Sequence, residues 1–249
     1  MAAPIPDITL LRRSCAPCTL RQFCQHAGLP QRAPGGSLGK AFGISRGDSL
    51  FRAGDMHGRV YAVRSGALKT IAITADGEEH VLGFHLPGEL LGLDSLATGS
   101  HCAEAVALSD TQVCEFPVQG LLNRSATVPE LGARMLQVLG SSAIGCRVHV
   151  DLLLRRQADE RVAMFLYDLL VRFGRQGANS SLVLPMGRED VGRYLGLALE
   201  TVSRSLTRLQ EDALIEVSGR SVRVLDEERL RRMAMLPDTP SGSPLEQQA

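Results

Sequence analysis

The chain has 249 residues, which is enough for one large domain or two smaller ones. Hydrophobic residues make up 44% of it and aromatic residues only 4%, so a core can form but must rest mainly on aliphatic side chains. The formal net charge is zero, which excludes a global electrostatic field that would attract nucleic acid or an anionic membrane. Any contact with a polyanion would therefore need its positive charge placed locally.

We expect no targeting signal at the N-terminus, because residues 1–11 lack a basic start followed by a long apolar stretch. No apolar run in the sequence is long enough to cross a bilayer. We therefore expect a cytoplasmic protein without a membrane partner. Because cytoplasmic thiols stay reduced, metal binding, catalysis or burial is favoured over disulfide formation for the six cysteines.

The first two stretches of the chain differ in texture. Residues 1–43 are a cysteine-bearing segment that ends in a flexible connection at residues 34–37 (Pro-Gly-Gly-Ser). Residues 44–125 read as short strands separated by glycines, which predicts a small β-barrel or roll. The clearest hairpin has strands at 68–74 and 78–84, because the Asp-Gly pair between them tolerates the positive φ values of a tight turn.

Residues 126–155 predict one long helix that begins near Pro129. Its apolar positions recur in steps of three and four, which is the seam spacing of a coiled coil. One interpretation is an amphipathic helix lying on its own domain, and the other is a dimer seam. The narrowness of the stripe favours the dimer seam, whose residues would be Leu136, Leu139, Ala143, Cys146, Val150 and Leu153.

Residues 156–235 predict a domain that begins with a helix from about Ala158 to Phe173. Two short helices follow, at 188–195 and 198–211, and Gly196 makes the turn between them. Two short helices joined by a glycine-containing turn are the helix-turn-helix signature. A hairpin at 214–224 would be the wing of this motif. The remaining residues, 236–249, contain Pro, Ser and Gln and are expected to form a disordered tail.

The second helix of the motif carries a polar face near its start. Glu200, Ser203 and Arg204 lie at i, i+3 and i+4 and share that face, where such a helix enters the major groove. Arginine can donate two hydrogen bonds to guanine, and glutamate can accept one from cytosine. The alternative is a solvated face with an ordinary Glu200–Arg204 ion pair. The helix-turn-helix frame and the wing favour DNA binding.

Neighbouring positions on this helix predict supporting DNA contacts. Leu199, Thr201 and Val202 would offer apolar or methyl surface to a thymine methyl group. Thr207 and Arg208, one turn later, would bind phosphates.

Residues 187–217, with Leu-Gly-Leu-Ala-Leu-Glu-Thr-Val-Ser-Arg at 195–204, resemble the CRP/FNR superfamily, and the Glu-x-x-Ser-Arg pattern is similar to its FNR branch. The resemblance extends through 51–55, 61–66 and 83–89. It implies an α+β fold in which a sensor β-roll, similar to a cyclic-nucleotide-binding domain, is joined by a long dimerisation helix to a C-terminal winged helix-turn-helix. It also implies a homodimer that binds inverted TTGAT-like half-sites in double-stranded DNA and contacts RNA polymerase.

The cysteines of the N-terminal segment have metal-ligand spacing. Cys15, Cys18 and Cys24 form a C-x2-C-x5-C pattern, and soft thiolates are preferred ligands of iron–sulfur clusters and of zinc. The spacing leaves both metals open, and a fourth ligand is needed from Cys102, Cys114 or Cys146. The FNR resemblance places the fourth ligand before Glu-Phe-Pro at 115–117. It implies a [4Fe–4S] cluster bound by Cys15, Cys18, Cys24 and Cys114.

Such a cluster implies an oxygen-responsive regulator, and the sequence leaves open whether the signal in the cell is oxygen, nitric oxide or both. Oxidative breakdown would release the N-terminal segment and shift the dimer equilibrium, which is the two-state coupling that a sensor needs. FNR proteins can carry a carboxylate near position 146, where repulsion weakens the dimer. This chain has Cys146 there, which predicts a dimer that depends less strictly on the cluster.

Other functions have weaker support. A CRP-like regulator of another small effector would need an arginine clamp for a nucleotide phosphate, but residues 100–104 read Ser-His-Cys-Ala-Glu. The histidines do not have a spacing that is diagnostic of a haem sensor. In a regulator that responds to thiol redox, the cysteines would hold zinc or no metal. The chain lacks a phosphate-binding loop, H-E-x-x-H and G-x-S-x-G, so we do not expect an enzyme.

Overall fold

The computed structural model describes residues 40–56, 58–174 and 181–234. The N-terminal cysteines and the predicted tail lie outside the described residues. Within them, eight strands come first: β1 (Lys40–Ile44), β2 (Ser49–Phe51), β3 (Arg59–Ser65), β4 (Leu68–Ile73), β5 (Glu79–His85), β6 (Leu90–Leu91), β7 (Glu104–Ala107) and β8 (Thr111–Pro117).

These strands form two antiparallel four-stranded sheets, in the orders β1-β8-β3-β6 and β2-β7-β4-β5. A core lies between the sheets and contains Phe51, Val63, Leu68, Leu91 and Val113. The β4–β5 pairing runs from Leu68 opposite His85 to Ile73 opposite Glu79, so the predicted hairpin is confirmed.

Strand β1 starts earlier than the boundary predicted at residue 43, which falls inside this strand. Its Phe42 and Ile44 pack against the core between the sheets, and its Ala41 lies opposite Cys114 of β8. The strand is short and contains Gly43, so its sequence resembles the flexible connection before it.

The remaining elements complete the predicted order. The helices of the described residues are α1 (Ser95–Thr98), α2 (Val118–Ser125), α3 (Pro129–Leu153), α4 (Ala158–Gly174), α5 (Arg188–Leu195), α6 (Leu199–Glu211) and α7 (Glu227–Ala234). The C-terminal strands are β9 (Ser181–Val183), β10 (Ile215–Ser218) and β11 (Ser221–Val224). A β-roll, a long helix and a winged helix-turn-helix therefore follow one another as expected.

Helix α3 has 25 residues and a length of about 37 Å. Pro129 is its first residue, where the missing N–H costs nothing and the fixed φ suits a helix. Leu131 packs against the roll beside Val60 and Phe116, and Leu152 packs into the C-terminal core. No helix in the described ranges is long and apolar enough to cross a membrane.

The C-terminal core fills the space between α4, α5, α6 and the small sheet β10-β11-β9. It contains Val162, Leu166, Val202, Leu209 and Val222. The same cluster continues into the roll through Ile71, Val81, Phe84 and Leu86. The predicted DNA-binding part of the chain is therefore packed directly against the strands β4 and β5.

Candidate nucleic-acid interface

The turn between α5 and α6 depends on two glycines. Gly196 ends α5 with a φ of +63°, a left-handed conformation that favours glycine. A Cβ atom added to Gly192 would lie 2.6 Å from the Leu197 carbonyl oxygen, so only glycine allows the turn to lie this close to α5. Gly196 was identified from the sequence and Gly192 was missed. Its signal was a glycine inside a helix, where it costs about 1 kcal/mol relative to alanine.

Helix α6 has distinct inner and outer faces. Ser205, Leu206 and Leu209 are buried against the domain, together with Val202, which is only 1% exposed. The expectation that Val202 offers surface to a thymine methyl group is therefore wrong, because this position lies on the core face. Leu199 is exposed and Thr201 is half-buried.

The outer face carries the predicted base-reading residues. Glu200 and Arg204 are exposed and Ser203 is half-buried. Across the part of the chain that the structure describes, neither Glu200 nor Arg204 has an ion-pair partner, so the expected alternative of an i,i+4 pair is not formed. Their charged groups are exposed and make no hydrogen bond with another residue that the structure describes.

Two arginines near this face have partners within the protein. Arg188, the first residue of α5, donates from Nη1 to Ser203 Oγ at 3.3 Å. It is exposed and was not identified from the sequence, although a basic residue at the start of the first helix was a usable signal. Arg208 forms an ion pair with Asp159 of α4 at 3.2 Å. A phosphate would therefore compete with Asp159 for Arg208. Thr207 is exposed, and its hydroxyl donates to the Ser203 carbonyl oxygen.

The predicted wing is the hairpin of β10 and β11, in which Ile215 lies opposite Val224 and Ser218 opposite Ser221. Arg220 is exposed at its turn and donates to the Pro185 carbonyl oxygen at 3.3 Å. Strand β9 adds a third strand to this hairpin, and its three residues were too few to predict.

The predicted seam of α3 is exposed over its whole length. Leu136 is 71% exposed and Val150 is 55% exposed. Leu139, Ala143, Cys146 and Leu153 are also exposed. The stripe therefore does not lie on its own domain in the protomer. Ile144 is exposed too, but on a different side of the helix.

The cysteines within the described residues occupy three different environments. Cys114 is half-buried on β8, opposite Ala41 of β1 and Ala62 of β3. Cys102 is exposed in a loop, with its Sγ 3.6 Å from Thr98 Oγ1, and Cys146 is exposed on α3. No group of three or more His, Cys, Asp or Glu residues that could hold a metal occurs among the residues described.

Cys114 nonetheless lies where a ligand contributed together with the N-terminal segment should lie. Strand β1 is where that segment enters the fold, and its second residue is paired with Cys114. Cys114 also packs in the cluster that holds Met135 and Val138 of α3. Of the four predicted ligands, Cys114 therefore lies beside the long helix, and the other three lie outside the described residues.

The region that would bind a nucleotide phosphate in a cyclic-nucleotide site is unsuited to an anion. His101 is buried and stacks on Phe51 with ring centroids 3.8 Å apart. Its Nδ1 lies 3.7 Å from Asp94 Oδ1. A carboxylate and a buried ring thus stand where an arginine clamp is expected. The other histidines that could be haem ligands are spread over the chain. His80 is exposed and His85 is half-buried, and His26 and His57 lie outside the described residues.

A β-roll, a long helix and a winged helix-turn-helix in this order are the architecture of a DNA-binding transcription regulator. Residues 43–127 match the family model of the cyclic nucleotide-binding domain, and residues 160–233 match that of the Crp-like helix-turn-helix domain. The chain belongs to the CRP/FNR superfamily of transcription regulators.

Curated relatives and solved structures agree with this membership. The chain is 39% identical to "Transcriptional activator protein FnrA" of Stutzerimonas stutzeri over 85% of its own length and 88% of that protein. It is 38% identical to "Transcriptional activator protein anr" of Pseudomonas aeruginosa over 94% and 98% of the two chains. The structure of FixK2 from Bradyrhizobium japonicum superposes with a TM-score of 0.73 at 29% identity, covering 80% of this chain and 99% of that one.

Proposed function

We propose that this protein is an oxygen-responsive transcription regulator, with nitric oxide as a second signal, that works through a [4Fe–4S] cluster. The cluster would be held by Cys15, Cys18, Cys24 and Cys114. The observation that carries the proposal is the position of Cys114, which is paired with the strand where the cysteine-bearing segment enters and packs beside α3. When bound, the cluster supplies a centre that oxidants can destroy.

The residues around Cys114 connect the ligand to the long helix. Met135 and Val138 of α3 share a hydrophobic cluster with Cys114, Val60 and Phe116. Because packed interiors transmit displacements, a shift of β8 at Cys114 would move α3. This is the link that a sensor needs between its ligand site and its dimer interface.

The proposed active form is a homodimer joined along α3. A narrow stripe of six exposed positions at coiled-coil spacing is covered by a second copy of the same stripe, since a two-fold interface is self-complementary. Two winged helix-turn-helix domains related by a two-fold axis then bind two inverted TTGAT-like half-sites about one helical turn apart.

Base reading is assigned to the outer face of α6. Arg204 would donate to guanine, Glu200 would accept from cytosine, and Ser203 would contact a base or a phosphate. The neutral net charge of the chain is compensated locally by Arg188 and by Arg220 of the wing. The two relatives named as transcriptional activators support a further contact with RNA polymerase.

The experiment that tests the proposal is the ultraviolet–visible spectrum of anaerobically purified protein, with iron and sulfide analysis, before and after exposure to air. We expect a brown protein with four iron and four sulfide per protomer, which shifts operator DNA and loses both the colour and the shift in air. Protein that contains zinc without iron, or no metal, and that binds DNA equally in air would contradict the cluster.

A further inference from the structure

The end of helix α4 meets the roll through one arginine. Arg172, in the last turn of α4, donates from Nε to Glu89 Oε1 at 2.9 Å and from Nη2 to Glu89 Oε2 at 2.8 Å. It also donates to the carbonyl oxygen of Phe84 at 2.6 Å. A bidentate arginine–carboxylate pair fixes direction as well as distance, so this contact orients α4 on the roll.

Each member of the pair also has a hydrogen bond to its own part of the fold, Arg172 to α4 and Glu89 to the roll. Asp168 accepts from Arg172 Nη1 at 3.2 Å, and Glu89 Oε2 accepts from the Leu86 N–H at 3.0 Å. The side chains of Arg172 and Glu89 are only 20% and 32% exposed. Burial by itself would raise the pKa of Glu89, but the charge and hydrogen bonds of Arg172 outweigh it and lower the pKa below its ordinary value. The carboxylate therefore stays charged at neutral pH.

A second set of contacts joins the roll to α5, the first helix of the helix-turn-helix. Lys69 of β4 lies 2.8 Å from Asp190 of α5 and 2.6 Å from Glu79 of β5. Arg193 of α5 also reaches Glu79, at 2.9 Å. Charged contacts thus run from the roll to two separate helices of the DNA-binding domain.

An aromatic contact lies between the two sets of charges. The ring of Phe84 of β5 packs against Phe165 of α4 and Tyr194 of α5, with centroid distances of 6.0 Å and 5.1 Å. The DNA-binding domain is therefore fixed to the roll by two sets of charged contacts and one aromatic contact.

In a dimer, these contacts would affect where the recognition helix, α6, lies relative to the dimer axis. Residues 154–157 connect α3 to α4. Helix α3 is tied to the roll through Leu131, and the roll is tied to the DNA-binding domain through Arg172 and Lys69. Helix α3 also contacts the DNA-binding domain directly through Leu152, and the attachment through the roll adds to this contact in setting the distance between two recognition helices in a dimer.

We propose that the Arg172–Glu89 pair, supported by Lys69–Asp190, determines the half-site spacing that the dimer accepts. The inference rests on the proposed function, since it requires two recognition helices bound to two half-sites. When one helix is bound, the second binds with an effective concentration that depends on how well the fixed geometry matches the DNA. With a rigid attachment, the affinity is high only at the matching spacing. With a loosened attachment, neighbouring spacings are bound with similar affinity.

The test uses full-length, anaerobically prepared protein and three DNA duplexes. These carry the two half-sites at the matching spacing, the half-sites moved apart by one or two base pairs, and one half-site alone. The variants are Glu89→Gln, Arg172→Lys and Lys69→Met. Glu228→Gln is the matched control, because Glu228 pairs with Arg231 within α7 at an exposed position far along the chain from this interface.

We expect wild type and Glu228→Gln to prefer the matching spacing strongly. In Glu89→Gln the ratio of affinities for matching and shifted spacing should fall by about fivefold, with unchanged affinity for the single half-site. Arg172→Lys, which keeps the charge but loses the bidentate geometry, should fall part of the way. Lys69→Met gives an independent reading if a change at the Arg172–Glu89 pair impairs folding.

Two outcomes separate this inference from the proposed function. A wild-type protein that binds the duplexes with two half-sites no more tightly than the single half-site would contradict the two-half-site dimer itself. A wild type that discriminates, together with folded Glu89→Gln and Lys69→Met proteins that discriminate to the same degree, would overturn the role of these contacts alone. A loss of affinity for the single half-site would also overturn it, because the pair would then act on DNA contacts and not on spacing.

Discussion

His149 of the long helix stacks face to face on Tyr194 of α5, with ring centroids 3.9 Å apart and planes 9° from parallel. The His149 Nε2 lies 2.9 Å from the Tyr194 carbonyl oxygen. The proposed dimer helix therefore contacts the helix-turn-helix directly as well as through the roll. His149→Ala should lower the free energy of unfolding by about 0.5–1.5 kcal/mol, because it removes the ring stack. His149→Phe keeps the stack and is the control. Equal denaturant midpoints for wild type and His149→Ala would show that the stack contributes nothing.

Arg204 is predicted to read a base. Arg204→Ala should cost about 1–3 kcal/mol of binding free energy and relax discrimination at one base pair of each half-site. Arg208→Ala should weaken binding to all sequences about equally, because a phosphate contact carries no sequence information. Titrations on matched and mutated operators separate the two effects. An unchanged specificity ratio in Arg204→Ala would exclude this residue from base reading.

Cys114 is predicted to be a cluster ligand and Cys102 is not. Cys114→Ser should abolish the cubane cluster, and serine replacements of Cys15, Cys18 or Cys24 should do the same. Cys102→Ser is the matched control, because its thiol is exposed in a loop next to Thr98. Iron content after anaerobic reconstitution measures this. Full iron in Cys114→Ser with loss in Cys102→Ser would reverse the assignment.

Cys146 is predicted to face its own copy across the dimer seam. Cys146→Asp should weaken the cluster-free dimer, because two carboxylates brought together are desolvated and repel each other. Association of this variant should then depend more on an intact cluster than that of wild type. Sedimentation of apo and holo forms of both proteins measures the four constants. If all four are equal, Cys146 does not lie at the interface.

His85 is predicted to make stability depend on pH. Burial is the largest cause that lowers its pKa, from 6.5 to about 4, so the folded protein keeps the ring neutral. Between these two values the unfolded chain binds a proton that the folded chain does not, so stability falls as pH decreases from 6.5 towards 4. The loss attributable to His85 is up to about 3 kcal/mol. His85→Gln should flatten this part of the urea-unfolding profile, whereas exposed His80→Gln should leave it unchanged; identical profiles for wild type and His85→Gln would contradict the shift.

The elements with strong local signals could be predicted from the sequence. The bounds of α5 and α6 agree with the prediction to within one residue, because Gly196 marks the turn and Leu206 and Leu209 mark the inner face of α6. The hairpin of β4 and β5 was equally clear from its Asp-Gly turn. Periodicity also identified the stripe of α3, whose exposure now separates it from ordinary core.

Features that depend on distant parts of the chain could not be predicted. Arg172 and Glu89 are 83 residues apart, and neither residue type indicates its partner from sequence alone. The buried position of Val202 is one such feature. Residue chemistry near the start of α6 does not show which side of the helix is buried, because the packing of the core decides this. Strand β9 has only three residues, too few for a periodic pattern.

Because α6 has two faces, the positions that can contact DNA are different from the positions that hold the helix in its domain. Glu200 and Arg204 make no ion pairs with the described residues of the protein, while Val202, Leu206 and Leu209 make the contacts that keep the helix in place. Exposed substitutions away from packed or hydrogen-bonded features usually change stability by less than about 0.5 kcal/mol. After a gene duplication, one copy can therefore acquire a different DNA specificity through one or two outer-face substitutions, while the packing that holds α6 in its domain is inherited unchanged.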